Sequence, residues 1–322
     1  MSRRLALNVD ERQLRIDQRR RVGSLADNRV APRTLDRYRV AVHRFLEWMK
    51  HEGIEACNWS KLEKAVMKYI EELWITGEGK TLANNTLSGT QHFLNSRRQM
   101  PGAWALLTTW GRLEVPGRAP PVTRDLALAL AGEALIAGRE DFACLVLLAF
   151  HCYLRPNEFL KLGKSTIALE GSGAGVLSLQ WTKVGQVRGA KETVRVEDSL
   201  VLFWLRRRLT DASEGSLLLE SSSYSFRQFL QRAFRKLGVD GHGYMPYSLR
   251  RGGATHDFLV HRDIARCLFR GRWSDVRTGR IYIMDGAARL AELQTSPESK
   301  LLIKASIREL HRYSAAAGFA LN

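Results

Sequence analysis

YSLRRGGATHDFLVHRDIARCLFRGRWSDVRTGRIYI, residues 247–283, is the stretch on which the reading of the chain turns. Arg250-Arg251 is followed at once by Gly252-Gly253. Apolar residues at Phe258, Leu259, Ile264, Cys267 and Leu268 predict an amphipathic helical segment over 257–269. Arg270-Gly271-Arg272-Trp273 then reads as a basic tight turn, and Tyr282 stands nine residues beyond the tryptophan. Packing alone does not ask for so many guanidiniums beside a phenol. Chemistry on a phosphate asks for both, because arginine's planar fork matches phosphate oxygens in bidentate fashion and tyrosine can act as a covalent nucleophile. Gly252 and Gly253 admit two readings, close approach of the backbone to DNA or relief of crowding at a helix crossing.

The rest of the composition agrees with a polyanionic partner. A chain of 322 residues holds two or three domains. Its apolar fraction of 45% is enough for a real core. A net charge of +17 and a pI near 10.2 concentrate polyanions at its surface, with DNA or RNA first and an anionic membrane surface second. No apolar run reaches the roughly 18 residues that span a bilayer, which argues against a membrane protein. The arginine-rich N-terminus lacks the apolar core of a secretory signal. Cys57, Cys144, Cys152 and Cys267 are scattered without a CxxC pair, which points to a reducing compartment rather than a zinc site. With no GxxxxGK[ST] loop, the chain shows no nucleotide-hydrolysing engine.

In chain order, residues 1–29 read as a basic arm, a short helix or a solvated tail. Residues 30–115 read as a small all-helical domain. Its helices start at Thr34 as N-cap, at Ser60 with Glu63 in a capping box, at Thr81 and at Ala103. Arg33, Arg37, Lys80 and Arg97 are its candidate DNA contacts. The proline- and glycine-rich run over 116–122 reads as a linker. Residues 123–295 form a second, larger domain. A nearly all-apolar helix over 140–153 leads into Leu154-Arg155-Pro156-Asn157-Glu158, where Pro156 favours an extended Arg155 and opens a new helix. The period then changes, and strands are expected at 176–181 and 192–196, joined by a loop that carries Lys183, Arg188 and Lys191. A last helix over 301–313 has Leu302, Ile303, Ile307 and Leu310 on one stripe, within a C-terminal segment 296–322. The fold class is mainly α with a small β-sheet.

These elements, in this order, resemble the tyrosine recombinase (phage integrase) family over roughly residues 30–295. HCYLRPNEFLKL resembles its first arginine box, WTKV its catalytic-lysine hairpin, YSLRRGGATH its second box, and GRW followed by Tyr282 its C-terminal pair. The resemblance implies a core-binding, SAM-like helical domain and a catalytic domain that close around duplex DNA. It implies Arg155, Lys183, Arg250, Trp273 and Tyr282 as the catalytic set, with Glu158 as a structural companion and Lys191 as an alternative to Lys183. Arg251, Arg270 and Arg272 become further DNA contacts. The family usually has histidine three residues before the second arginine, and here Tyr247 stands there. A tyrosine titrates near 10 and is a poor base at neutral pH, which implies a slower enzyme. His242 and His256 are the candidates to substitute in function, neither at the matching position.

The implied function is site-specific recombination of double-stranded DNA through a 3′-phosphotyrosyl intermediate, with no cofactor. A homo-tetramer on DNA is implied, with the last helix docking on a neighbouring subunit, in an intracellular, DNA-associated location. Two alternatives remain: a DNA-binding protein that kept the fold while losing activity, and a strand-rejoining enzyme like type IB topoisomerases or telomere resolvases.

Overall fold

The structure, a computed structural model, describes residues 9–25, 28–96, 99–115, 117–171, 173–179, 192–210 and 212–320. It divides into two compact units, Met1–Gly117 and Arg118–Asn322.

The first unit is helical throughout its described residues. Its helices are α1 Val9–Val22, α2 Pro32–His51, α3 Trp59–Ile75, α4 Lys80–Phe93 and α5 Pro101–Leu113. Phe45, Val66, Ile70, Leu87, Leu107 and Trp110 meet in its core. Helix starts differ from expectation at α2, α3 and α5, the last opening at Pro101 rather than Ala103. Pro32, whose fixed φ suits the first helical position, opens α2 two residues ahead of Thr34. Asn58 rather than Ser60 caps α3, accepting the Lys61 N–H at 2.9 Å. Glu63 does not close a capping box: it accepts the Gly102 N–H at 2.7 Å and so ties α3 to the first turn of α5. A tertiary partner outcompetes the local one.

The second unit opens with α6 Arg124–Ile136, capped by Thr123 Oγ1 at 3.3 Å from the Leu126 N–H. Next comes α7 Glu140–His151, buried on every side from Asp141 to Phe150 as its apolar composition demands. The short α8, Pro156–Phe159, follows. The sheet is an antiparallel meander, β1 Ile167–Leu169, β2 Gly175–Leu179 and β3 Glu192–Val196. Leu177 pairs with both Ile167 and Val194, and Leu179 with Glu192. β1 was not anticipated; three residues are too few to show a period. The remaining helices are α9 Ser199–Thr210, α10 Ser223–Lys236, α11 Pro246–His261, α12 Ile264–Gly271, α13 Val276–Tyr282, α14 Asp285–Gln294 and α15 Pro297–Ala316. The segment expected as one helix over 257–269 is two. Arg262 turns into the left-handed region at φ 54°, and Asp263 caps α12 by accepting the Arg266 N–H at 3.0 Å.

Gly252 and Gly253 serve the helix crossing. A Cβ on Gly252 would lie 2.0 Å from the Val122 carbonyl oxygen, and one on Gly253 would lie 1.8 Å from that of Phe150. Gly253 lets α11 press against the end of α7, and Gly252 lets it press against the segment that leads into α6.

α15 lies along α6 and completes the core, with Leu310 fully buried and Ile303 and Ile307 packed beside it. Ser306 Oγ donates to Glu133 Oε1 at 2.8 Å, and Trp204 Nε1 donates to Ser314 Oγ at 3.1 Å. Most of the stripe that the sequence offered to a neighbouring subunit is therefore covered within its own chain; Leu302 stays 43% exposed.

Candidate active site

The site is assembled where the end of α7, α8, the start of α11 and the α12–α13 turn meet. Past α7 the chain turns through Tyr153 at φ 48°. Pro156 then holds Arg155 extended, at φ −73° and ψ 150°. The backbone N–H of Arg155 donates to Glu158 Oε2 at 2.8 Å and its Nη1 donates to Oε1 at 2.6 Å. Arg272 Nη2 donates to the same carboxylate at 2.7 Å, and Arg250 Nη1 stands 3.9 Å from it. Burial works to raise the Glu158 pKa. Arg272, the Arg155 N–H, Arg155 and Arg250 together overcome it and hold the carboxyl below its ordinary range. Glu192, the first residue of β3, reaches Arg272 Nε at 3.4 Å. Three guanidiniums against two carboxylates leave one uncompensated positive charge.

Arg250 is fully buried. Its Nη1 donates to the Tyr153 carbonyl and its Nη2 to that of Gly271 at 2.9 Å. The guanidinium carbon lies 5.2 Å from the centre of the Trp273 ring and 5.1 Å from that of Tyr282. Burial first, then Arg155 and Arg272, pull its pKa down to about 10, which still leaves it charged at neutral pH. Among the described residues Arg250 Nε, Arg272 Nε and Nη1 and Trp273 Nε1 are buried donors without a hydrogen-bond acceptor. Buried donors are ordinarily paired, so this group of unpaired ones singles the cluster out as a candidate site.

Asp275 sets the position of Tyr282. It caps α13 by accepting the Thr278 N–H at 2.8 Å, and Tyr282 closes that helix. Trp273 lies between two phenol rings, 4.5 Å from Tyr282 at 16° and 6.5 Å from Tyr153 at 15°. The Tyr247 and Tyr282 hydroxyls are 2.7 Å apart. Burial, then the bond to Tyr282, pushes Tyr247 up to about 12. Tyr247 thus stays protonated at neutral pH, and either hydroxyl can be the donor of that bond.

The structure brings Arg155, Glu158, Tyr247, Arg250, Trp273 and Tyr282 together. Lys183, with Arg188 and Lys191, falls outside the described residues, between the paired ends of β2 and β3. Arg272 turns inward onto Glu158, Arg270 Nη2 donates to the His151 carbonyl at 2.8 Å, and Arg251 Nη1 to that of Ala119 at 2.7 Å. These three arginines are framework as well as charge. In the first unit Arg33 and Arg37 are exposed on α2, Lys80 is half-buried at the start of α4, and Arg97 lies outside the described residues. His256 rests against Phe150 and His242 against Tyr244. Sequence reasoning missed Tyr153, Glu192 and Thr255, which join the site only through the fold.

No protein-family model matches the sequence, and neither does any curated protein. Solved structures do resemble it. The lambda integrase dimer bound to a COC′ core site is 14% identical, with a TM-score of 0.53 over 86% of this chain and 76% of that one. The Tn1549 transposon integrase in complex with transposon right end DNA is 12% identical, with a TM-score of 0.53 over 87% of this chain and 98% of that one. At such identities the likeness is one of architecture, and by it this chain carries the fold of the tyrosine recombinases.

Proposed function

We propose that the protein is a site-specific recombinase or integrase that breaks and rejoins double-stranded DNA through Tyr282. One observation carries the reading. The Tyr282 hydroxyl stands in a cluster of buried guanidiniums whose net positive charge and orphaned donors match one phosphodiester. The Tyr282 oxygen attacks the phosphorus, its bond to the 5′ oxygen breaks, and the 3′ phosphate remains on the tyrosine. Negative charge grows on the non-bridging oxygens, where Arg155 and Arg250 would each contribute about 3–4 kcal/mol, by analogy with other preorganised donors. Trp273 supplies an indole N–H. Tyr247 donates its hydroxyl to the Tyr282 oxygen, whose own proton passes to solvent water as the bond to phosphorus forms. Lys183 is assigned as the acid that protonates the leaving 5′ oxygen, and a free 5′ hydroxyl reverses the step. The bond energy is conserved in the phosphotyrosine, so the scheme calls on neither metal nor nucleotide.

A homo-tetramer on DNA in an intracellular, DNA-associated setting completes the proposal. The +17 charge supports DNA as partner, and the affinity should fall steeply with salt. A second reading has one observation in its favour. Tyr247 cannot act as a base, which suits a DNA-binding protein of this fold with little or no strand transfer.

The test offers wild type and Tyr282→Phe a pool of nicked random-sequence duplexes, then denatures in detergent and looks for protein joined to DNA. An adduct from wild type alone is the expected result. Equal adducts from both proteins would remove Tyr282 from the mechanism, and no adduct from either, with binding intact on the native site, would favour the second reading.

A further inference from the structure

Thr255 stands on α11, five residues beyond Arg250, and is 2% exposed. Its Oγ1 donates to the Tyr282 carbonyl at 3.2 Å and accepts the Met284 N–H at 3.1 Å. A hydroxyl has one proton and two lone pairs, so it performs both roles at once. The Tyr282 carbonyl ends α13 and belongs to the last turn, whose carbonyls a helix leaves without partners of its own. The Met284 N–H lies in the short connection to α14. One side chain thus holds the backbone on both flanks of Tyr282 to the helix that carries Arg250 and Tyr247.

The other contacts of Tyr282 do not fix its place as strictly. Its stack on Trp273 is a ring face on a ring face, and offset arrangements of such pairs differ little in energy. The contact with Tyr247 joins two hydroxyl tips on rings that are free to tilt. The bonds through Thr255 are directional, buried and made to backbone, so a slip of α13 along α11 would break both.

We infer that Thr255 is a positioning residue for strand transfer, setting the register between the Tyr282 hydroxyl and the Arg250 guanidinium. The inference rests on Tyr282 being the nucleophile. Reactions of this kind are sensitive to placement, and a displacement of about 1 Å can cost on the order of 100-fold in rate.

The full-length protein is compared with Thr255→Val, which removes the hydroxyl at nearly constant volume, and Thr255→Ser, which keeps it. On nicked random-sequence duplexes Thr255→Val should form adduct on the order of 100-fold more slowly with unchanged DNA affinity, and Thr255→Ser should restore the rate. In the same variant the Tyr247 phenol, followed by NMR of labelled tyrosine, should titrate below about 12, because its partner has come loose. A general loss of packing would weaken DNA binding and would not be rescued by serine alone. Wild-type rate and Tyr247 titration in Thr255→Val would overturn the inference while leaving the nucleophile intact; no adduct from wild type on the random pool and on the native site alike, with binding intact, would overturn the nucleophile and the inference with it. Amide exchange of Met284 in the wild type tests the staple whether or not the valine variant folds. Strong protection is expected, and rapid exchange would overturn it.

Discussion

Gly253→Ala is expected to lower the melting temperature of the second unit by roughly 10 °C, at a cost of about 3 kcal/mol. Its Cβ would stand 1.8 Å from the Phe150 carbonyl oxygen and 2.7 Å from the Tyr153 ring. The first obstacle is backbone at the end of a helix that is buried all round, so it cannot turn aside as a side chain can. α11 and α7 must part. Their separation reaches the site directly, because the carbonyl that Arg250 Nη1 holds belongs to Tyr153, at the same crossing. Adduct formation should therefore fall along with stability. Gly241→Ala is the control, since a Cβ there meets nothing within 4 Å, and its effect should stay within about 0.5 kcal/mol. Equal melting temperatures for the two variants would show that the crossing is looser than described.

Glu158→Gln should cost about 3–5 kcal/mol, the range for breaking a buried ion pair from one side. The carboxylate is 3% exposed and serves Arg155, Arg272 and Arg250 together. An amide can accept one of those donors, but its own N–H₂ then faces the others, and only Glu192 remains to balance three guanidiniums. The pH dependence has a definite sign. Glu158 titrates lower in the folded protein than its ordinary 4.5, so the unfolded chain binds the proton more readily. Its contribution is complete above the unfolded value and is lost as pH falls through the folded one. Thermal melts from pH 7 downward should thus converge for wild type and Glu158→Gln on the acid side. Asp257, whose pKa is also lowered against the opposing effect of burial, keeps some acid sensitivity in the variant. Parallel curves with a constant gap would show that the effect of Glu158 is shape rather than charge.

What the sequence revealed follows from how local each signal was. α7 was legible because every position from Phe142 to Phe150 is apolar, and Arg155 was legible because Pro156 fixes the residue before it. Tyr282 was legible only through the resemblance of a set of spacings; taken alone it reads as one more aromatic beside two isoleucines. Other features depend on contacts distant in the chain. Glu63 gave a sound local signal for a capping box and spends its carboxylate on α5 instead. Arg272 read as a phosphate contact, and its Nη2 also serves Glu158, more than a hundred residues earlier. The break at Arg262 was within reach, since Asp263 stands where an N-cap belongs, but the apolar stripe ran across it and hid it. The two roles of Gly252 and Gly253 were separated only by knowing what lies opposite them.

The seating of α15 on α6 also gives the protein a timetable. α6 leaves the ribosome early, yet the face it presents to Leu310 and Ser306 stays open until residues 297–316 have been made. At about 5–20 residues per second, that interval lasts on the order of ten seconds. α7, which leads into Arg155, and α11, which carries Arg250, pack on α6. A nascent chain halted before Pro297 should accordingly remain open to protease in the second unit, and a chain extended past Ala316 should resist it. On the proposed function, strand cleavage would then have to wait until the helix over 297–316 has been made.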